Sequence, residues 1–348
     1  MSRPAYLDTA GIWDATVSAP EQAKSAVAHA SALLDLAVLP EPDDIGSVLV
    51  FGMGTSSTAA ELVAAFGAAH ASVPVVACNG YVPPSFVGPH TLAFALSFGG
   101  DTEETTSAAA AVAERGAHTV IVSGGGALAR MAIRSDFTLF SVPTDLPAAR
   151  VALGALAVPV LLTLSRIGIL PAIRPSLDAA FSLLQRRRDA LLSAASPVEE
   201  VARRIGRTIP LVYGSTGVTA VAARRWKTQI NENAKTPAFF AIQPELSHNE
   251  VAGWGQNGDV TRQVLTLVTL RHGGEHPHVA RRFDLVVAVT DEVMADVIPV
   301  WAEGDDDLAR FFDLALFGDL VSLHMAGREG TDPGPVPALN DVESAIRR

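Results

Sequence analysis

Between Trp226 and Trp254 the chain reads WKTQINENAKTPAFFAIQPELSHNEVAGW. This stretch sets one carboxylate, Glu232, among three side-chain amides, Gln229, Asn231 and Asn233, and then supplies His248 between Ser247 and Asn249. A carboxylate and an imidazole can move protons as an acid/base pair, and amides at one level can hold a polyhydroxylated substrate by hydrogen bonds. Two of the chain's three lysines, Lys227 and Lys235, also fall here. At helical spacing Thr228, Glu232 and Lys235 share a face, with Arg225 and Gln229 on the neighbouring one. The blander reading gives Glu232 to a solvated or salt-bridged surface and His248 to a backbone hydrogen bond, the usual fates of such residues. Their pairing within one polar string favours catalysis.

Three glycine-rich turns offer anion-binding chemistry. Gly52-Met53-Gly54-Thr55-Ser56-Ser57-Thr58 follows the apolar run SVLVF and opens a helical segment. Glycines let the backbone approach an anion, hydroxyls donate to it, and free N–H groups at a helix start add positive potential. The alternative is a tight strand–helix turn capped by Ser56 or Ser57. The run is neither a dinucleotide fingerprint nor a Walker loop, because it lacks GxGxxG and Gly-Lys-Ser/Thr. The second turn is SFGGDTEET, Ser97 to Thr105. Ser97, Thr102, Thr105 and the amides of Gly99 and Gly100 would cradle a phosphate, or Asp101 and Glu104 would form a capping box, and both can hold together. Ser123-Gly124-Gly125-Gly126 is the third. Such turns at successive strand ends would line one crevice beyond the carboxyl edge of a sheet. His272, Glu275, His276 and His278 form a further cluster, but Gly273, Gly274 and Pro277 make it an exposed turn. Its spacing matches no regular zinc pattern, and no metal is expected there.

The elements that must position these residues alternate between strand and helix. Ser47–Phe51, Val73–Ala77, Thr91–Leu96, Thr119–Ser123 and Phe137–Val142 read as strands. Ser56–Gly67, Thr102–Arg115, Leu128–Arg134 and Ala148–Ile167 read as helices between and after them. Pro210–Tyr213, Ala238–Ile242, Gln263–Thr269 and Val297–Glu303 read as a second set of strands, with helices over Val218–Lys235 and Asp305–Ala326. His278–Asp291 shows no clear period. Alternation of this kind predicts an α/β fold with parallel sheets covered on both faces. The order strand, glycine, polar loop, helix occurs at Val50–Ser57 and again at Val212–Thr219, so two similar units are expected. The expected division is residues 1–170 with a leading helical segment, a helical connector 171–200, a second unit 201–326, and a tail 327–348 with a loop and short helix.

The 348 residues suffice for two domains, and 49% of them are apolar. A formal charge of −11 argues against nucleic acid or an anionic membrane as partner. Cys78 is the single cysteine, which excludes an internal disulfide and fits a reducing cytoplasm. The N-terminal segment lacks a signal-peptide apolar region, and the apolar run Val151–Leu164 is too short to span a bilayer. A cytoplasmic location is expected.

RWKTQINENAK followed by PELSHNEVAGW resembles the signature of the bifunctional phosphoglucose/phosphomannose isomerases, built from two sugar isomerase (SIS) domains. FGMGTSS and SFGGDTEET are similar to that family's two phosphate turns, and Arg150 in PAARVALG matches a family active-site arginine. The resemblance runs from about Gly46 to Val336. It implies two SIS-type doubly wound parallel-sheet domains flanked by helices, and an aldose–ketose isomerase acting on a hexose 6-phosphate, glucose or mannose 6-phosphate to fructose 6-phosphate. Glu232 would take the C2 proton to give a cis-enediol and return it at C1. His248 would assist ring opening, reaching in from a second subunit of a homodimer, and Arg150 would stabilise charge on the enediol oxygens. Gly54, Ser56, Ser97, Gly99, Gly100, Thr102 and Thr105 would hold the phosphate. Neither metal nor organic cofactor is implied.

The chain departs from the family pattern at three positions. The second phosphate turn has Gly99 for a serine and Asp101 for an asparagine, and Glu343 aligns where the tail carries a lysine. The terminal Arg347 and Arg348 do not match that lysine by position. A carboxylate about 6 Å from a phosphate dianion would cost up to ~5 kcal/mol at an effective dielectric of about 20. These departures keep open a non-catalytic sugar-phosphate-binding or regulatory protein, or an isomerase for a sugar without a phosphate dianion.

Overall fold

The computed structural model describes residues 7–193 and 195–346. Arg347 and Arg348 lie outside the described residues. In chain order the helices and strands are α1 (Ile12–Val17), α2 (Ala19–Leu34), β1 (Ser47–Phe51), α3 (Thr55–His70), β2 (Val75–Cys78), β3 (Thr91–Ser97) and α4 (Glu103–Glu114). There follow β4 (His118–Ser123), α5 (Gly126–Ser135), β5 (Thr138–Ser141), α6 (Leu153–Arg166), α7 (Arg174–Leu191) and α8 (Pro197–Ile205). The chain continues through β6 (Ile209–Ser215), α9 (Val218–Gln229), β7 (Phe239–Gln243), α10 (Gly258–Val264), β8 (Leu265–Arg271) and α11 (Pro277–Thr290). It closes with β9 (Asp296–Trp301), α12 (Asp307–Arg328) and α13 (Pro337–Ile346). The chain divides into two compact units. One is Ser18–Leu183 with Asp306–Ala309; the other is Leu184–Asp305 with the described residues before Ser18 and after Ala309.

The first unit is a parallel sheet in the order β2-β1-β3-β4-β5. Its central strands, SVLVF and TLAFALS, are apolar on both faces because helices cover both. Leu49, Phe51, Ala93, Ala95 and Ile121 pack on Ala108 and Val112 of α4 and Leu128 and Ala132 of α5. Residues of opposite parity, Val48, Val50, Leu92, Phe94 and Leu96, are also buried, on the side of the sheet served by α3 and α6. Such continuous burial fixes the register, since a slip of one residue would exchange every side chain between faces.

The second unit is a parallel sheet in the order β7-β6-β8-β9. Leu211, Tyr213 and Leu267 form one core with Leu246, Phe283, Val286 and Met294. The segment without a clear period is helix α11, which supplies Phe283 and Val286 to that core. Trp226 of α9 is buried, donates from Nε1 to the Leu314 carbonyl of α12 at 2.7 Å, and stacks on Phe317 at 5.8 Å. Among the described residues no helix is long and apolar enough to cross a membrane.

Two expected helices differ at the points that carry side chains of interest. The expected helix Ala148–Ile167 begins at Leu153, after a 3-10 turn, Ala149–Val151, that holds Arg150. The expected helix Val218–Lys235 is α-helical to Gln229 and then widens into a π-helical turn, Ile230–Ala234.

Candidate active site

In the first unit all five strands run the same way, so the turns after β1, β3 and β4 share one edge of the sheet. The latter two are knitted together. Gly124 N–H donates to the Phe98 carbonyl at 3.0 Å, and Leu128 N–H to the Gly100 carbonyl at 3.0 Å. Gly100 has φ +82°, and a Cβ there would stand 1.9 Å from the Gly125 carbonyl oxygen. Both the backbone conformation and the close approach therefore demand glycine.

Within the second turn the Ser97 and Thr102 hydroxyls are 3.0 Å apart, and Ser97 Oγ accepts the Gly100 N–H at 3.1 Å. Ser97 is thus committed to shaping the loop as well as offering a hydroxyl. Thr105 Oγ1 is buried and has no hydrogen-bond partner among the described residues. A buried hydroxyl left unpaired is costly unless something else satisfies it, and a bound anion would. Gly99 is exposed, and a Cβ on it would meet nothing within 4 Å. Ser56 lies in the first turn of α3, which Gly54 opens at φ +56°; neither Ser56 nor Ser57 caps the helix. Arg150 is 5% exposed.

Asp101 corrects the expected capping box. Helix α4 starts after Thr102 with no side-chain cap. The Asp101 carboxylate instead accepts the Ala127 N–H at 2.8 Å, at the start of α5, and stands 3.6 Å from Arg130. The positive end of α5 and a guanidinium therefore offset its charge. A groove of about 630 Å³ lies beside the third turn, bounded by Gly124, by Glu21 and His29 of α2, and by Thr144 and Asp145 after β5. Its two carboxylates disfavour an anion, and none of the expected phosphate-binding residues lines it.

In the second unit Glu232 is half-buried on the π-helical turn. Such turns insert one residue into a helix and re-aim the side chains that follow. A buried polar seam beneath holds it. Asn233 Nδ2 donates to Gln229 Oε1 at 3.0 Å and to Ser322 Oγ of α12 at 2.9 Å. Asn231 Nδ2 donates to the Thr236 carbonyl at 2.8 Å. Arg225 pairs with Asp319 at 2.6 Å. Burial raises the Asp319 carboxyl above its ordinary value, Arg225 opposes that, and the Glu232 charge adds to it. Lys235, in the left-handed conformation, donates to the Glu232 backbone carbonyl and to the Pro333 carbonyl. The three amides singled out in the sequence, Gln229, Asn231 and Asn233, are thus all engaged in holding the turn that carries Glu232. Asp319 and Ser322 were not legible, because they lie nearly ninety residues downstream in α12.

His248 ends a 3-10 turn, Glu245–His248, that follows a cis Gln243–Pro244 bond, and it is exposed. The loop around it is tied down by Ser247 Oγ donating to Gln243 Oε1 at 2.7 Å and Asn249 Nδ2 donating to Glu245 Oε1 at 2.8 Å. The histidine-rich turn is closed on itself: Glu275 pairs with Arg271 at 2.8 Å, and the His276 ring accepts the His278 N–H at 3.2 Å. Glu343, on α13, is exposed.

Residues 194–346 match the family model described as the bacterial phospho-glucose isomerase C-terminal SIS domain, a span that includes Glu232 and His248. A bifunctional phosphoglucose/phosphomannose isomerase from Aquifex aeolicus is 32% identical over 279 residues, covering 79% of this chain and 82% of its own. One from Caldicellulosiruptor bescii is 29% identical over 339 residues, 96% of this chain and 98% of its own. Among solved structures, the C-terminal domain of glucosamine-fructose-6-phosphate aminotransferase from Francisella tularensis superposes with a TM-score of 0.71 over 97% of this chain and 100% of that one. At 14% identity that likeness is one of fold. Identity at this level along most of both chains gives the assignment: the chain belongs to the bifunctional phosphoglucose/phosphomannose isomerase family.

Proposed function

We propose that the protein interconverts hexose 6-phosphates, glucose or mannose 6-phosphate with fructose 6-phosphate, through a cis-enediol. Glu232 takes the C2 proton of the open-chain aldose as the electron pair forms the C1–C2 double bond and the C1 carbonyl oxygen takes a proton from water. The same carboxyl, now protonated, returns its proton to C1 as the C2 hydroxyl gives its proton to water and becomes the ketone. His248 assists ring opening, Arg150 stabilises the enediol oxygens, and the hydroxyls of Ser56, Ser97, Thr102 and Thr105 with the backbone of Gly54, Gly99 and Gly100 hold the phosphate. A homodimer in the cytoplasm is part of this reading.

The observation that carries it is Glu232 on a π-helical turn within the family-matched segment, with its neighbours spent on holding that turn. The buried, unpaired Thr105 hydroxyl supports the phosphate assignment. The anchoring of Asp101 at α5 weakens the main motive for a binding-only protein. Incubation with each hexose 6-phosphate in deuterated water tests the proposal. Deuterium should appear at C2 of the aldose, and its absence at high enzyme concentration contradicts isomerisation.

A further inference from the structure

Tyr213 lies in β6, fully buried in the second-unit core, and its hydroxyl is spent on the loop that carries His248. The phenol donates to Glu250 Oε1 at 2.5 Å and accepts the Trp254 indole N–H at 3.2 Å. Glu250 and Trp254 follow His248 in the chain, while Leu246, two residues before it, is buried against the same core as Tyr213. The exposed imidazole therefore sits between two attachments, one apolar and one polar, both made to one patch of sheet. Burial, and next the hydrogen bond to Glu250, hold the phenol above its ordinary pKa. It stays a neutral donor across the working range.

We propose that Tyr213 is a positioning residue, which through Glu250 and Trp254 fixes the loop that aims His248 at the ring oxygen of the sugar phosphate. This rests on the reading of His248 given above. A histidine on an untethered loop would spend much of its time out of reach, and misplacement of about 1 Å can cost about a hundredfold in rate. A buried tyrosine bonded to a half-buried carboxylate is a costly way to fill a core, because phenylalanine would fill the same space without a polar group to satisfy. What the hydroxyl adds is direction.

Tyr213→Phe keeps the ring and deletes the tether. With glucose 6-phosphate it should lower kcat about tenfold and leave KM within about twofold, the loss expected from one hydrogen bond that acts on the reacting geometry. Trp254→Phe should act the same way, and Glu250→Gln, which keeps an acceptor, should lose less than Glu250→Ala. A thermal melt of each variant separates these losses from unfolding. The deciding measurement is the double variant Tyr213→Phe/His248→Ala: if Tyr213 acts through His248, it should be no slower than His248→Ala alone. Full additivity, or wild-type kcat in a folded Tyr213→Phe, overturns the positioning role while leaving His248 catalytic. Wild-type turnover by His248→Ala overturns both.

Discussion

The Asp101 carboxylate accepts the backbone N–H of Ala127 at 2.8 Å, which binds the second glycine turn of the first sheet to the start of helix α5. An acidic residue in the proposed phosphate turn is thereby given a neighbour that offsets its charge. Arg130, one turn further along α5, stands 3.6 Å away. The repulsion expected for a carboxylate beside a phosphate is reduced at its source.

Asp101→Asn should consequently change little. The amide oxygen can still accept from Ala127, so stability should shift by less than about 0.5 kcal/mol and KM for a hexose 6-phosphate by less than about threefold. Asp101→Ala, which removes the acceptor, should cost about 1 kcal/mol in urea unfolding. A tenfold or greater fall in KM for Asp101→Asn would show that the carboxylate faces the anion after all.

Gly99→Ser offers a gain. The position is exposed, lies outside the left-handed region, and leaves open space around an added Cβ. A serine hydroxyl there would add one donor to the proposed phosphate cradle, and one charge-assisted hydrogen bond is worth about 1.5 kcal/mol or more. KM should fall about tenfold with kcat unchanged. Unchanged KM would place the phosphate away from this turn.

Arg204 and Asp296 give the second unit a measurable pH signature. Two hydrogen bonds, at 2.8 and 2.6 Å, tie α8 to the start of β9. The hydrogen bond from Arg204 holds the Asp296 carboxyl below its ordinary value of 3.8, against a smaller opposing effect of burial. A carboxyl that titrates lower in the folded than in the unfolded chain stabilises the fold above the ordinary value and loses that contribution as pH falls through the folded one. Arg204→Met should therefore cost about 0.2–1 kcal/mol near neutral pH, with a smaller deficit in acid, once pH has fallen below the ordinary carboxyl value of 3.8 and through the lowered folded one. A deficit of equal size at both pH values, in urea titrations, would assign the loss to packing instead.

The strands were legible because their chemistry is local. SVLVF and TLAFALS are short, β-rich and apolar on both faces, which only a strand covered by two helix layers explains. Helix α11 was not legible, since Leu285 and Val289 are exposed and blur its polar face. Short α10, Gly258–Val264, has no counterpart in the sequence reading, which begins the following strand at Gln263, inside the last turn of that helix. The π-helical turn has no local signature either: INENA reads as ordinary helix, and the contacts that hold it reach Asp319 and Ser322 far along the chain. Asp101 misled for the same reason. Its nearest helix in sequence is α4, but its partner is the start of α5, which a parallel sheet brings alongside. Types and spacing thus located the candidate base and histidine, whereas the partners that hold them are tertiary.

Glu232→Gln tests the central claim most directly. The amide is isosteric with the carboxylate and leaves the Asn233–Ser322 and Arg225–Asp319 contacts in place, so the variant should fold as the wild type does and bind hexose 6-phosphate. Deuterium incorporation at C2 should fall at least about a thousandfold, the upper part of the range expected for loss of a general base. Wild-type incorporation by a folded Glu232→Gln protein would contradict the assignment of the base.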